Sequence, residues 1–214
     1  MLISPSEAVS QLRKIERCGR VCYKSEDKIG ENTYEPFIRG IIKRGHESVL
    51  EHCAVTAFVV CDRGVTHEIV RHRIGSYSQE STRYVNYKTG MNAIETPFWK
   101  NNDGEMTFND VDKWTVWNEA MENAEKAYKQ LIELGAKPEE ARSVLPNSLK
   151  TEIAITYNLR EWRHFFTLRC SKFAHPQMRQ VAVMLLKQMK ELMPVIFEDF
   201  VIDEVKNTAE KVKV

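Results

Sequence analysis

Fourteen residues, Arg71 to Tyr84, hold three arginines, one histidine, three serines and a glutamine, with Ile74 as their one aliphatic side chain larger than alanine. Burying such a run is expensive, because charges and hydroxyls taken out of water need partners. It is therefore a solvated loop or a site that meets an anion. Arginine grips phosphate or carboxylate through a planar, bidentate fork, and serine hydroxyls add neutral donors beside it. Arg71, Arg73, Ser81 and Arg83 are read as such a site. Arg142, Arg160 and Arg169 also fall near predicted helix ends. Any one of these arginines taken singly reads as surface charge; the clustering with Ser81 points to an anionic ligand.

Other chemistries find less support. The glycines form no GxGxxG, and Gly40 and Gly45 have P-loop spacing but with His46 where the lysine belongs. His67-Glu68 is followed by His72 at i+5, on the wrong helix face for a zinc pair. No GxSxG elbow exists, and no Ser/His/Asp layout surrounds Ser81, so a phosphate donor is its simpler role. His46, His52, His72, His164 and His175 lack ligand spacing with a cysteine or carboxylate, and no metal is expected. The five cysteines, Cys18, Cys22, Cys53, Cys61 and Cys170, include no CxxC and read as reduced thiols, with Cys53 and Cys61 in the core.

The elements that must position these residues follow from periodicity. Ser4-Pro5-Ser6-Glu7 is a capping box with proline at the first helical position, and Val9, Leu12 and Ile15 predict a helix over about 5–20. A polar loop follows over about 23–32. Phe37, Ile38, Ile41 and Ile42 predict a second helix ending at Gly45. The apolar run Cys53 to Cys61 suits a strand buried on both faces. Asp62-Arg63-Gly64 reads as a turn, Thr66 as the cap of a short helix through Arg71, and Thr82 to Tyr87 as a strand. The arginine-rich run thus joins a helix end to a strand, a placement that is exposed yet ordered.

Further on, residues 88–107 read as irregular, punctuated by Gly90, Pro97 and Gly104. A long helix is predicted over about 110–134, burying Trp114, Trp117, Met121, Ala124, Tyr128 and Leu131 and ending at Gly135. Pro138 opens a short helix that carries Arg142. Ile153, Ile155 and Tyr157 alternate as in a strand, and Asn158 to Glu161 resembles a capping box ahead of Trp162, Phe165 and Phe166. Pro176 starts a last long helix, Pro194 breaks it, and a polar tail frays from about Asn207. The fold class is α+β, a single domain over 1–214, with a small β-sheet packed against several long helices.

The 214 residues are 43% hydrophobic and 29% charged, enough for an ordinary globular core without disulfide or metal. Net charge is +1, so the basic stretch is a local concentration that suits a small anion better than a polyanion. No apolar run nears the ~20 residues that span a bilayer. The N-terminus carries no basic-then-apolar leader pattern, so a cytoplasmic protein is expected, with no nucleic-acid or membrane partner.

Arg71-His72-Arg73, seven residues, then Ser81-Thr82-Arg83 resembles the RHR-x7-S motif of the flavin-dependent thymidylate synthases. Gly45-His46-Glu47-Ser48 with Glu51-His52 is similar to that family's upstream segment. Ala141-Arg142 to Leu145-Pro146, Asn158-Leu159-Arg160 and Leu168-Arg169 are similar to later ones in the same order. The resemblance covers about residues 45–190. It implies synthesis of dTMP from dUMP, with methylenetetrahydrofolate as carbon donor, NADPH as reductant and FAD as hydride carrier. It also implies a homotetramer with shared active sites and no cysteine nucleophile.

By position, the resemblance implies that Arg71, His72 and Arg73 contact FAD, joined by Asn158, Arg160 and His164, with Ser48 and Glu51 beside the flavin of a neighbouring subunit. Ser81, Arg83 and Arg142 would hold the dUMP phosphate, and Arg71 would also lie near dUMP. Glu68 and Gln79 would touch substrate, and Gln79 also the cofactor. Arg169 would face the pyrimidine and stabilise charge developing on it, the catalytic role. The chain departs from the family pattern at Gln79-Glu80, where the carboxylate is shifted or replaced, and at His164, where asparagine is frequent. The segment from Arg169 to His175 is longer than in some members. Two other readings stay open from residues alone: an RNA-binding module and a nucleotide-binding enzyme without flavin. Visible absorption separates the first reading from both.

Overall fold

The computed structural model describes residues 1, 3–99 and 105–212. Expectations at Gly104 and at the last two residues lie outside that range.

Along the chain, α1 (Pro5–Tyr23) starts at the predicted capping box. Ser4 accepts from the Glu7 amide, and Glu7 reaches back to the Ser4 amide at 2.8 Å. Then come α2 (Tyr34–Lys43), a 3₁₀ helix (Glu47–His52), β1 (Ala54–Asp62), α3 (Arg63–Ile69) and β2 (Ser76–Gln79). A long stretch with a 3₁₀ turn at Pro97–Trp99 leads to α4 (Phe108–Glu133), α5 (Pro138–Ala141) and β3 (Lys150–Asn158). The chain continues through α6 (Leu159–Arg169), α7 (Pro176–Leu192), α8 (Pro194–Phe197), β4 (Phe200–Asp203) and β5 (Thr208–Lys211). The strand orders are β1-β3-β2 and β4-β5. The α+β class is as expected.

Several local expectations are corrected. β1 is buried on one face only: Val55, Ala57, Val59 and Cys61 point inward, whereas Phe58 is 60% and Val60 59% exposed. A continuous apolar run therefore did not mean two covered faces. Asp62, not Thr66, caps α3, because its carboxylate accepts from the Val65 amide at 2.7 Å. Thr66 is already inside the helix and donates to the Arg63 carbonyl. The strand expected over Thr82 to Tyr87 is a turn, with the Tyr84 and Val85 amides bonded to the Ser81 carbonyl. The strand lies earlier, at Ser76–Gln79. On α4 only Tyr128 is fully buried, and the rest of the predicted stripe is half-covered. The tail does not fray at Asn207: β5 pairs antiparallel with β4, Phe200 opposite Lys211 and Asp203 opposite Thr208.

The chain divides into two compact units. The first comprises Met1–Phe58, His72–Tyr77 and Ala154–Val214, the second Val59–Arg71 and Ser78–Ile153. The core of the first unit is aromatic. Trp162 stacks on Phe166 with centroids 5.5 Å apart, Phe165 meets both edge-on, and Phe197 and Phe200 close the cluster. Each such side chain, fully buried, stabilises by about 1.5–3 kcal/mol. The Trp162 indole donates to the Val55 carbonyl at 3.0 Å, which ties α6 to β1 and satisfies its one donor. Arg163, 2% exposed, is compensated by Asp199 at 2.6 Å and Glu47 at 3.0 Å and by the Ile196 carbonyl. In the second unit, Tyr87, Tyr128, Ala141 and Leu149 form a smaller core under α4 and α5.

Candidate active site

In the first unit, the residues after α3 are held by contacts made far along the chain. A side chain at Gly75 would place its Cβ 2.3 Å from the Tyr157 ring, so only glycine lets the backbone lie against β3 there. The Tyr77 hydroxyl donates to the His72 carbonyl and lies 2.9 Å from the Tyr157 hydroxyl. This fixes His72, which is 5% exposed. Its Nδ1 lies 2.9 Å from Glu161 Oε1, and its Nε2 accepts from Arg169 Nε at 3.0 Å. Its ring packs edge-on against Phe165 at 5.0 Å and approaches His164 at 5.8 Å. Arginine only donates, so Nε2 carries no proton and Nδ1–H donates to the carboxylate. Burial, followed by the Arg169 charge, holds the His72 pKa below the usual histidine value, although the Glu161 bond pulls the other way.

Beside this chain of bonds lies a cavity of about 560 Å³. Four expected residues line it: Glu51, Asn158, Arg160 and His164. Asn158 also caps α6 by accepting from the Glu161 amide at 2.8 Å. Arg160 pairs with Glu51 at 2.5 Å. Glu47, known from the sequence only as part of the upstream segment, lines it too, together with Glu161, Arg163, Thr167 and Lys211, which no site reading named. Lys211 reaches Glu47 at 3.1 Å from β5. Burial works to raise the Glu47 pKa, but Arg163 and Lys211 outweigh it and hold the carboxyl below its usual range. Ser48 and Arg73 are exposed and do not line the cavity.

In the second unit, Ser81 accepts from the Arg83 amide at 3.3 Å, and Arg83 Nε reaches Glu139 Oε2 at 2.9 Å. The Arg83 bond is the largest influence lowering the Glu139 pKa, and Arg142 adds to it. One carboxylate therefore lies in the field of both arginines expected to hold a phosphate. Gln79 donates to Thr66 Oγ1 at 3.0 Å and Thr151 Oγ1 at 3.3 Å. Glu68 is half-buried near the end of α3, and Arg71 just after it is exposed.

Buried cysteines are not part of this chemistry: burial pushes the Cys61 and Cys170 thiols up to about 12. No helix among the described residues is long and apolar enough to cross a membrane. His72, Glu161 and His164 place ligand-type atoms within 4.8 Å of one another.

The first unit thus has a polar cavity edged by arginine, lysine and histidine, and the second an arginine bonded to a carboxylate with another arginine's charge nearby, both arrangements of a kind that suits anionic small molecules. Residues 6–195 match the family described as thymidylate synthase complementing protein. The chain is 36% identical over 187 residues to a flavin-dependent thymidylate synthase of Geobacter sulfurreducens, covering 84% of this chain and 78% of that one. It is 37% identical over 186 residues to one of Pyrococcus furiosus, covering 86% and 74%, and 35% identical over 204 residues to one of Mycobacterium tuberculosis, covering 87% and 78%. The chain belongs to the flavin-dependent thymidylate synthase family.

Proposed function

We propose that this chain catalyses the reductive methylation of dUMP to dTMP, with methylenetetrahydrofolate as carbon donor and NADPH as reductant of FAD. The observation that carries the proposal is the 560 Å³ cavity lined by Glu51, Asn158, Arg160 and His164. It lies in the range that small-molecule and cofactor sites occupy. Its donor set fits an FAD diphosphate: a guanidinium, an imidazole, an ammonium from Lys211 and a carboxamide. FAD, when bound, supplies the hydride; the protein binds, orients and polarises.

Within that reading, Ser48, Arg71, His72 and Arg73 complete the cofactor site, and His72 acts through its bonds to Arg169 and Glu161. Ser81, Arg83 and Arg142 bind the dUMP phosphate, displacing Glu139 from Arg83. Glu68, Arg71 and Gln79 complete the substrate contacts, with Gln79 serving the cofactor as well. Arg169 stabilises negative charge developing on the pyrimidine, and its guanidinium is fixed before substrate arrives. The whole chain, residues 1–214, works as one catalytic domain. It assembles as a homotetramer with shared active sites, which would cover the outward Phe58 and Val60 of β1. It works in the cytoplasm, in keeping with five unpaired thiols. Family membership leaves the RNA-binding and non-flavin readings without support.

Purified protein is expected to be yellow, or to become so with FAD, and to form dTMP from dUMP only with both folate and NADPH. Protein that stays colourless in excess FAD overturns the proposal.

A further inference from the structure

The first unit holds a buried carboxylate to which the motif reading gave no part in binding or catalysis. Glu161 is 7% exposed and sits in the first turn of α6, which also carries Arg169 in its last turn. Its carboxylate spends its bond on His72, 89 residues away, and His72 in turn accepts from Arg169. Every link is directional. Arg169 Nε is a donor in all protonation states. It therefore needs an acceptor at His72 Nε2, which exists only while the imidazole is neutral and its proton sits on Nδ1. An acceptor facing Nδ1 selects that tautomer, and Glu161 Oε1 is that acceptor at 2.9 Å. The opposite tautomer would turn an N–H toward an N–H and break the bond to Arg169 Nε.

We propose that Glu161 is a positioning residue for Arg169, acting through the tautomer of His72. The inference rests on the reading of Arg169 as the catalytic arginine. A free arginine side chain is rich in rotamers, and holding one of them costs entropy. An acceptor at Nε fixes the plane of the guanidinium fork, so the direction of its Nη donors is set before substrate binds. Phe165 and Tyr157 pack against the His72 ring, with centroids 5.0 and 6.0 Å away, and help to hold it in place. A divalent cation on His72, Glu161 and His164 would have to displace the Nδ1 proton and sit beside the Arg169 charge, which this arrangement disfavours.

The tautomer is read directly by nitrogen NMR of protein labelled at histidine, with the His72 signals assigned by their loss in His72→Gln. Wild type, with and without FAD, is expected to show a neutral ring protonated at Nδ1 near neutral pH. An Nε2–H tautomer or an imidazolium overturns the inference. In Glu161→Leu the Nδ1–H signature is expected to disappear, and kcat to fall on the order of tenfold or more, the scale seen when an orienting partner is removed. The KM for dUMP should move less than kcat. Glu161→Gln, whose amide oxygen still accepts, should restore the tautomer and most of the turnover. Unchanged kcat in Glu161→Leu, or loss without rescue by Gln, counts against positioning. If the Leu variant fails to fold, the wild-type and Gln spectra decide. Arg169→Ala separates the two readings. Normal turnover there removes its catalytic role while the spectra still test the bond chain. An inactive Arg169→Ala with a fully active Glu161→Leu removes the positioning role alone.

Discussion

His72 is neutral because its surroundings favour that form: burial and the Arg169 charge both oppose a second proton. Its folded pKa lies below the unfolded value of ~6.5, so the unfolded chain binds more protons as pH falls through that region. Stability contributed by the buried neutral ring is present above about pH 6.5 and is lost as acid charges the unfolded ring first. The melting temperature should therefore drop between about pH 7.5 and 5.5, and His72→Asn should flatten that slope. An unchanged slope in His72→Asn would show that other groups set it. The sequence made His72 visible as a motif member, but not as a buried link. Its partners are 89 and 97 residues away, and no local spacing encodes such distances. The lining role of Lys211 was hidden for the same reason, since it meets Glu47 across 164 positions.

Among the elements, helices with local signatures were the legible ones. The capping box of α1 lies within four consecutive residues, and the aromatic face of α6 repeats within one turn. Strand β2 was misplaced because pairing partners, not its own residues, decide where it forms. The Glu80 amide donates to the Glu152 carbonyl just past its end. Nothing in the local sequence marks Gly75, and only the ring of Tyr157 shows why nothing larger fits. Gly75→Ala should push the Arg71 to Tyr77 segment off Tyr157 and break the Tyr77 to Tyr157 contact. The expected cost is roughly 1–3 kcal/mol, the range for overpacking. FAD affinity should fall with it. A variant with wild-type melting temperature and FAD content would mean the backbone yields there at no cost.

At the scale of the whole chain, a net charge of +1 conceals strongly local charge. Arg163, Asp199, Glu47 and Lys211 form one buried-to-surface ion network, and it draws on the 3₁₀ helix after α2, on α6, on the segment after α8 and on β5. The final strand matters more than its polar composition suggested. Thr208 and Ala209 are buried, and the Ala209 amide donates to the Cys170 carbonyl at 2.9 Å, next to Arg169. A chain stopped after Asn207 should lose roughly 2–4 kcal/mol of stability and retain FAD poorly, through lost burial and a weakened ion network. Denaturant unfolding and the bound-flavin ratio check this; full retention of both would show β5 to be dispensable.

The bond from Ala209 to Cys170 also has a consequence for synthesis on the ribosome. The segment that backs the end of α6 and brings Lys211 to the cavity emerges after every other residue of that cavity. Trp162, Phe165 and Phe166 are thus made well before Lys211, so the pocket proposed for FAD is the last part of the first unit to gain its lining. Within the proposed reading, flavin then loads only after β5 has been made and paired with β4.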